Sequence, residues 1–332
     1  MFDIRIWSTE GALASAITTP IDILVAANLL NARRQIGSKP VFSWSIESVD
    51  GAPIRTASRQ IMAVDGKISA RGSCAAVYVA SPFLETWPGR PGDRATLVDA
   101  LQRAHRNGAL VATHCTGAFL FAEAGLLRHR RATTHWARAR ELALAFPDIR
   151  LSIRDVVTED GGVICGGAVT SYSNVMLTII ARLAGEELAA DVARYLLIDR
   201  NRGPQTAYAK KELEQAARSN DAFVLQASNW IKANYWRPFK LADLALSLGV
   251  SERTFNRRFT LATGMSPIKF IQAIRIESAK RLLEEGQNSA QDVSTRVGYE
   301  DLATFRELFK RETGMTLKAY QSQFATAAAP QP

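Results

Sequence analysis

The chain has 332 residues, length enough for two cores at roughly 150 residues per domain. Apolar residues make up 47% and charged residues 22%, a globular balance that excludes a largely disordered chain. Lys and Arg number 41 against 32 Asp and Glu, a formal charge of +9; residues 218–332 hold 16 basic and 11 acidic side chains, residues 1–217 hold 25 and 21, so the basic excess is denser in the C-terminal third, where a polyanion is best met. Cys74, Cys115 and Cys165 are odd in number and lack a C-x-x-C spacing, which argues against a disulfide framework or a zinc site and fits a reducing compartment; no metal and no cofactor are expected. The N-terminus enters a strand-like alternation without a signal-like apolar run, and no 18 uninterrupted apolar residues occur; a cytoplasmic protein with no membrane partner is expected.

In chain order, residues 2–7, 42–49, 75–80 and 109–113 read as strands, and residues 20–35, 93–107, 118–127 and 135–145 read as helices. Such alternation predicts crossover units on a parallel sheet covered by helices on both faces, an α/β domain of flavodoxin-like build. Residues 155–158 and 163–165, joined by Glu159-Asp160-Gly161-Gly162, predict a hairpin. Residues 173–183 and 187–198 return to helix, with Gly185 as the stop between them. Gly203-Pro204 suits neither element, so the expected partition is a sheet domain over 1–200, a linker over 201–217, a helical domain over 218–324 and a disordered tail over 325–332.

The helical domain contains a repeat. Leu241-Ala-Asp-Leu-Ala-Leu-Ser-Leu-Gly249 parallels Ala290-Gln-Asp-Val-Ser-Thr-Arg-Val-Gly298, and Thr254-Phe255, Phe259 and Thr263-Gly-Met265 parallel Thr304-Phe305, Phe309 and Thr313-Gly-Met315. Each copy predicts a helix, a glycine turn and a second helix. In the first copy Ser251 sits at the N-cap and Phe255 and Phe259 face inward, leaving Arg253, Asn256, Arg257 and Thr260 outward. Arg and Asn are the side chains that pair bidentately with guanine and adenine edges. In the second copy Phe305 and Phe309 face inward and Ala303, Arg306, Glu307 and Lys310 outward. Such faces also serve as ordinary solvated surfaces; the duplication with matched turn glycines favours DNA binding.

The stretch from Arg237-Pro238 to Gln323 resembles the DNA-binding domain of the AraC/XylS family, most closely over Ala290 to Met315. The resemblance implies two helix-turn-helix units joined by a long helix, here residues 267–285, that enter successive major-groove segments on one face of promoter DNA. By position it carries base reading to Arg253, Asn256 and Arg257 in one unit and to Ala303, Arg306 and Glu307 in the other, with Ser251, Thr260 and Lys310 completing the DNA-binding faces.

Ala109-Leu-Val-Ala-Thr-His-Cys115-Thr-Gly-Ala-Phe-Leu runs from a buried strand into a helix through a Cys-Thr-Gly turn. Such an elbow aims the cysteine into the crevice beyond the strand's carboxyl end. His114, its neighbour on the strand, is expected to point the other way, and Cys74 and Cys165 read as inert small hydrophobes. This segment, with Arg131-Ala-Thr-Thr-His-Trp136, resembles the PfpI-like, class I glutamine-amidotransferase-like domain, and with the helical tail the whole chain is similar to the GlxA group of regulators.

Hydrolases of that fold commonly place a His directly after the elbow Cys, and redox-active relatives carry a glutamate in the first helix; Thr116 and Ala16 stand there instead. Ala80-Ser-Pro-Phe83 lacks the usual Gly-Gly pair. The resemblance thus implies a catalytically silent domain with Ser81, Pro82, Cys115, Thr116, His135 and Thr170 around a ligand, and Cys115 as the fallback nucleophile. The implied protein is a transcription activator that binds double-stranded promoter DNA, answers a small effector such as an amino-acid derivative or quaternary amine, dimerises through its sheet domain and works with RNA polymerase. A Cys115-dependent amidohydrolase and a cysteine redox sensor remain the alternatives.

Overall fold

The computed structural model describes residues 1–34, 39–68, 72–82, 92–200, 202–208, 221–286 and 288–325. Two compact units divide the chain, Met1–Gln205 and Thr206–Pro332.

The first unit opens with β1 (Phe2–Trp7), α1 (Ala14–Arg34), β2 (Phe42–Ser48), three two-residue strands β3 (Ile54–Arg55), β4 (Ile61–Met62) and β5 (Gly66–Lys67), and β6 (Ala76–Val79). It continues with α2 (Asp93–Arg106), β7 (Leu110–His114), α3 (Gly117–Glu123), β8 (Arg131–Ala132), α4 (Ala139–Ala145), β9 (Arg150–Leu151), β10 (Val157–Asp160), β11 (Val163–Gly166), α5 (Tyr172–Ala184) and α6 (Glu186–Tyr195). Seven strands pair in the order β10-β11-β7-β6-β1-β2-β5, parallel except at the β10–β11 hairpin.

Each face of the sheet is covered. Ile4, Ile6 and Tyr78 pack with Ile17 and Leu24 of α1, Met176 and Ile180 of α5 and Val192 of α6. On the other face Trp7, Val77 and Val79 pack with Leu97 and Leu101 of α2 and Leu120 and Phe121 of α3. Near-continuous apolar runs in the central strands follow from this double burial.

Several predicted boundaries move. The first helix begins at Ala14 rather than at Pro20, which lies inside it. The missing N–H of Pro20 removes one helical bond, and burial of Ala16, Ile17 and Ile23 on the sheet offsets that loss. By length and composition α1 is apolar enough to cross a membrane, yet its Ile17, Ile23, Leu24 and Ala27 belong to the sheet core. The helix expected over 135–145 divides into a 3-10 turn, Trp136–Arg138, and α4. The ribbons β3–β4 and β8–β9 are too short to show alternation.

The second unit consists, among the described residues, of α7 (Ala222–Asn234), α8 (Leu241–Ser247), α9 (Glu252–Thr263), α10 (Pro267–Glu284), α11 (Ala290–Arg296), α12 (Leu302–Thr313) and α13 (Leu317–Phe324), after a 3-10 turn at Gln205–Ala207. Hydroxyl and carboxylate caps start all of these but α8: Asp221, Ser251, Ser266, Asp301 and Thr316 each accept from backbone N–H groups, and Ser289 forms a capping box with Asp292. Two cores are strung along α10. Phe270 and Ile274 pack with α7 to α9; Ile276, Ala279 and Leu283 pack with α11 to α13.

This unit takes in Ala207, which is buried in the second core, so it begins upstream of residue 218. Of the expected linker, residues 201 and 209–217 lie outside the described residues, as does the tail beyond Ala325.

Candidate nucleic-acid interface and ligand elbow

The helix pairs α8–α9 and α11–α12 are built alike. Phe255 and Phe259 are fully buried with ring centroids 5.6 Å apart, and Phe305 and Phe309 are fully buried at 6.0 Å. On the opposite faces Arg253, Arg257, Thr260, Ala303, Arg306, Glu307 and Lys310 are exposed and Asn256 is half-buried. Ser251 Oγ accepts from Thr254 N at 3.3 Å, and Asp301 accepts from Ala303 N at 2.8 Å. Bonds from the Thr304 hydroxyl and the Ala303 and Thr304 amides hold the Asp301 carboxyl below its ordinary range.

Arg257 and Arg258 part company. Arg258 turns back to fork onto the Asp221 carboxylate at 2.8 and 2.9 Å, with its guanidinium 4.4 Å from the centroid of Phe223, which ties α9 to α7 and leaves Arg257 outward. A groove of about 360 Å³ beside α12 joins the expected Arg306, Glu307 and Lys310 to Ala290, Thr316, Leu317 and Lys318, which sequence reasoning missed. Thr316 parallels Ser266 in the repeat, a signal that was there to read.

At the elbow β7 ends and Cys115 takes a φ of 54°, a left-handed conformation that costs a non-glycine residue about 1–3 kcal/mol. Bonds on both sides of the residue hold it. Cys115 N donates to the carbonyl oxygens of Gly166 and Gly167 at 2.9 Å each, and Thr134 Oγ1 donates to Cys115 O at 2.8 Å. α3 then leaves so close to β7 that a Cβ on Gly117 would lie 1.9 Å from Thr113 Oγ1. The Thr116 hydroxyl lies 2.8 Å from Ser81 Oγ and donates to Pro82 O at 3.1 Å. Burial pushes the Cys115 thiol up; hydrogen bonds from Thr116 and the charge of Arg138 oppose this less strongly. The thiol therefore stays protonated at neutral pH.

Residues 85–182 match the DJ-1/PfpI family and residues 244–323 match a helix-turn-helix domain. HTH-type transcriptional regulator CdhR of Pseudomonas aeruginosa is 24% identical over 270 residues, 81% of this chain and 79% of its own. HTH-type transcriptional regulator GlxA of Rhizobium meliloti is 26% identical over 290 residues, 86% of this chain and 87% of its own. The chain joins a DJ-1/PfpI domain to an AraC-type helix-turn-helix domain. A crystal structure of an AraC family transcriptional regulator from Pseudomonas putida shares the fold at 22% identity and a TM-score of 0.50, over 59% of this chain and 100% of that one. The two domains together are the build of a DNA-binding regulator.

Within the DJ-1/PfpI domain the structure brings Ser81, Pro82, Cys115 and Thr116 together. His135, next to Thr134, caps the 3-10 turn with Nδ1 accepting from Ala137 N at 3.2 Å. Burial, and then the charge of Arg138, lower its pKa, so it sits neutral in a capping role. Thr170 is exposed and its hydroxyl accepts from Arg202 at 2.7 Å. His114 lies on the sheet face that packs against α5, its Nδ1 2.8 Å from the Tyr78 hydroxyl and its ring edge-on to Tyr172; burial lowers its pKa to about 3. Ala16 is buried inside α1. Cys165 is buried and its thiol pushed up to about 12. Among the described residues no group of three or more His, Cys, Asp or Glu side chains is placed to hold a metal ion.

Proposed function

We propose that the chain is a ligand-responsive transcription activator in which a catalytically silent DJ-1/PfpI domain binds a small metabolite and sets how the paired helix-turn-helix units engage promoter DNA. The observation that carries the DNA half is the pair of capped helices α9 and α12, each with two buried phenylalanines on one face and basic or amide side chains on the other. In this reading Arg253, Asn256 and Arg257 read bases, Ser251 and Thr260 flank them, and Ala303, Arg306, Glu307 and Lys310 form the second contact face, with Lys310 anchoring phosphate. Glu307 beside Arg306 makes α12 the weaker reader, since a carboxylate opposes a phosphate-lined groove.

What supports a silent sheet domain is the setting of Cys115. Burial holds its thiol in the protonated form, and hydroxyls of Ser81 and Thr116, rather than a base, stand at the turn. Ser81, Pro82, Cys115 and Thr116 are assigned to an effector, with His135 and Thr170 at its margin. The effector is a small nitrogenous metabolite, the sheet domain dimerises, RNA polymerase is the partner at the promoter, and the site of action is the cytoplasm.

The test is a thermal-shift screen of amino-acid derivatives and quaternary amines against the full chain. A true effector at 100-fold its Kd stabilises the domain by ~2.7 kcal/mol and changes affinity for a selected promoter fragment. Cys115→Ala shifts ligand affinity or selectivity in this reading. Amide or ester hydrolysis that vanishes in Cys115→Ala would replace it with the enzyme.

A further inference from the structure

Gln205, the last residue of the first unit, is 4% exposed. Its side chain lies flush on Gly167, where an added Cβ would come within 2.5 Å of Gln205 Oε1. Gln205 Nε2 donates to Thr133 Oγ1 at 2.9 Å, to the Thr134 carbonyl at 3.0 Å and to the Asp155 carbonyl at 3.2 Å. Two of these three acceptors are backbone carbonyls, which accept only, so the orientation of the amide is fixed by its surroundings. Gln205 Oε1 is buried without a hydrogen-bond partner among the described residues. The seat is tight, and it leaves one polar group unsatisfied, so seating is not overwhelmingly favoured.

The residues under Gln205 are the ones that clamp the elbow. Thr134 holds the Cys115 carbonyl through its hydroxyl, and Gly167 accepts from the Cys115 N–H. One side chain thus rests on the holders of both ends of the strained Cys115 residue. The next residues in the chain belong to the second unit, where Thr206 Oγ1 donates to the carbonyl of Thr313, the last residue of α12, and Ala207 is buried among Phe305, Phe309 and Tyr320.

We propose that Gln205 is a positioning residue that links the elbow to the segment entering the DNA-binding domain: loosening of the elbow and unseating of Gln205 are a single equilibrium. A molecule that prefers one state of the elbow then biases the chain segment tied to the end of α12, and by linkage the reverse holds. The link rests on the effector reading above only for the identity of the natural trigger. The coupling itself is testable without an effector.

The probe is iodoacetamide, applied to the full-length protein, with alkylation of Cys115 followed by peptide mass mapping. A buried thiol reacts only when its surroundings open, so the rate reports elbow opening. Gln205→Ala, and Gln205→Glu, which keeps the size but loses the N–H donors, are expected to raise the Cys115 rate about tenfold. Thr134→Val is expected to raise it too, and the double variant Gln205→Ala/Thr134→Val to react no faster than the faster single variant, because both act through one chain of contacts. Rates within twofold of wild type, or effects that multiply in the double variant, overturn the proposal.

Should the variants fail to fold, the wild-type chain answers alone. With Cys115 carboxamidomethylated, amide hydrogen exchange at Gln205 and Ala207 is expected to rise about tenfold, and unchanged exchange there overturns the link. If the link holds and no metabolite protects Cys115 from alkylation, the effector site is elsewhere and the link stands. If a metabolite protects Cys115 while the Gln205 variants behave as wild type, the link falls and the effector site stands.

Discussion

Gly249 and Gly298 occupy the same turn of the two helix-turn-helix units, at φ of 72° and 87°, yet an added methyl group meets different surroundings. At Gly249 nothing lies within 4 Å of the new Cβ, so Gly249→Ala costs only the left-handed conformation, about 1–2 kcal/mol. At Gly298 the Cβ would sit 2.6 Å from the Trp236 carbonyl oxygen and 2.9 Å from Arg275 Nη2. The guanidinium has little freedom to yield, since Arg275 Nε donates to Tyr235 O at 2.8 Å and its Cζ lies 4.9 Å from the Tyr299 ring centroid. Overpacking of that kind adds about 1–3 kcal/mol, so Gly298→Ala is expected to cost about 2–5 kcal/mol. In a domain of this size each kcal/mol moves the midpoint by about 4–8 °C. Scanning calorimetry of the full chain should therefore place the helical domain's transition in Gly298→Ala at least ~5 °C below that in Gly249→Ala. Equal midpoints, or the reverse order, would refute the close approach of the second turn to the Trp236 carbonyl.

Three further outcomes are expected. Arg257→Ala should cost ~1–3 kcal/mol on a selected site and relax base preference at one position, while Lys310→Ala weakens all sequences alike and lowers the salt slope by about one unit; matching sequence profiles for the two would show that the face is not divided into reader and anchor. Cys115→Ala should alter effector binding without abolishing any turnover, checked by calorimetric titration with the screened metabolite and by hydrolase assay. His114, held near pKa 3 when folded and near 6.5 when unfolded, takes up a proton on unfolding in weak acid. The stability it lends is whole above pH ~6.5 and drains away as the pH falls toward about 3, by at most ~1.4 kcal/mol per pH unit. Urea midpoints of His114→Gln should fall less steeply between pH ~7 and ~4.5 than those of wild type; parallel slopes would place the acid sensitivity in other groups.

Local patterns carried much of this protein in its sequence. The central strands follow from short apolar runs between turns and the helix faces from a period of 3.6, and the paired units from a repeat in which Phe255 and Phe305, Gly249 and Gly298 recur. The Cys-Thr-Gly turn at residues 115–117 marked the elbow for the same reason, because strand, turn and helix are neighbours in the chain. Tertiary structure decided what depends on distant partners. Arg257 faces outward and Arg258 inward because Asp221, 37 residues away, captures the latter. Pro20 sits inside a helix because the sheet buries its neighbours, and Cys115 keeps its proton because burial outweighs the bonds of Thr116. Gln205 stands in what reads as a polar linker, and only folding brings it onto Thr133, 72 residues earlier in the chain. Spacing along a chain encodes which face a side chain takes on its own element; burial and hydrogen-bond partners are set by which elements pack against one another.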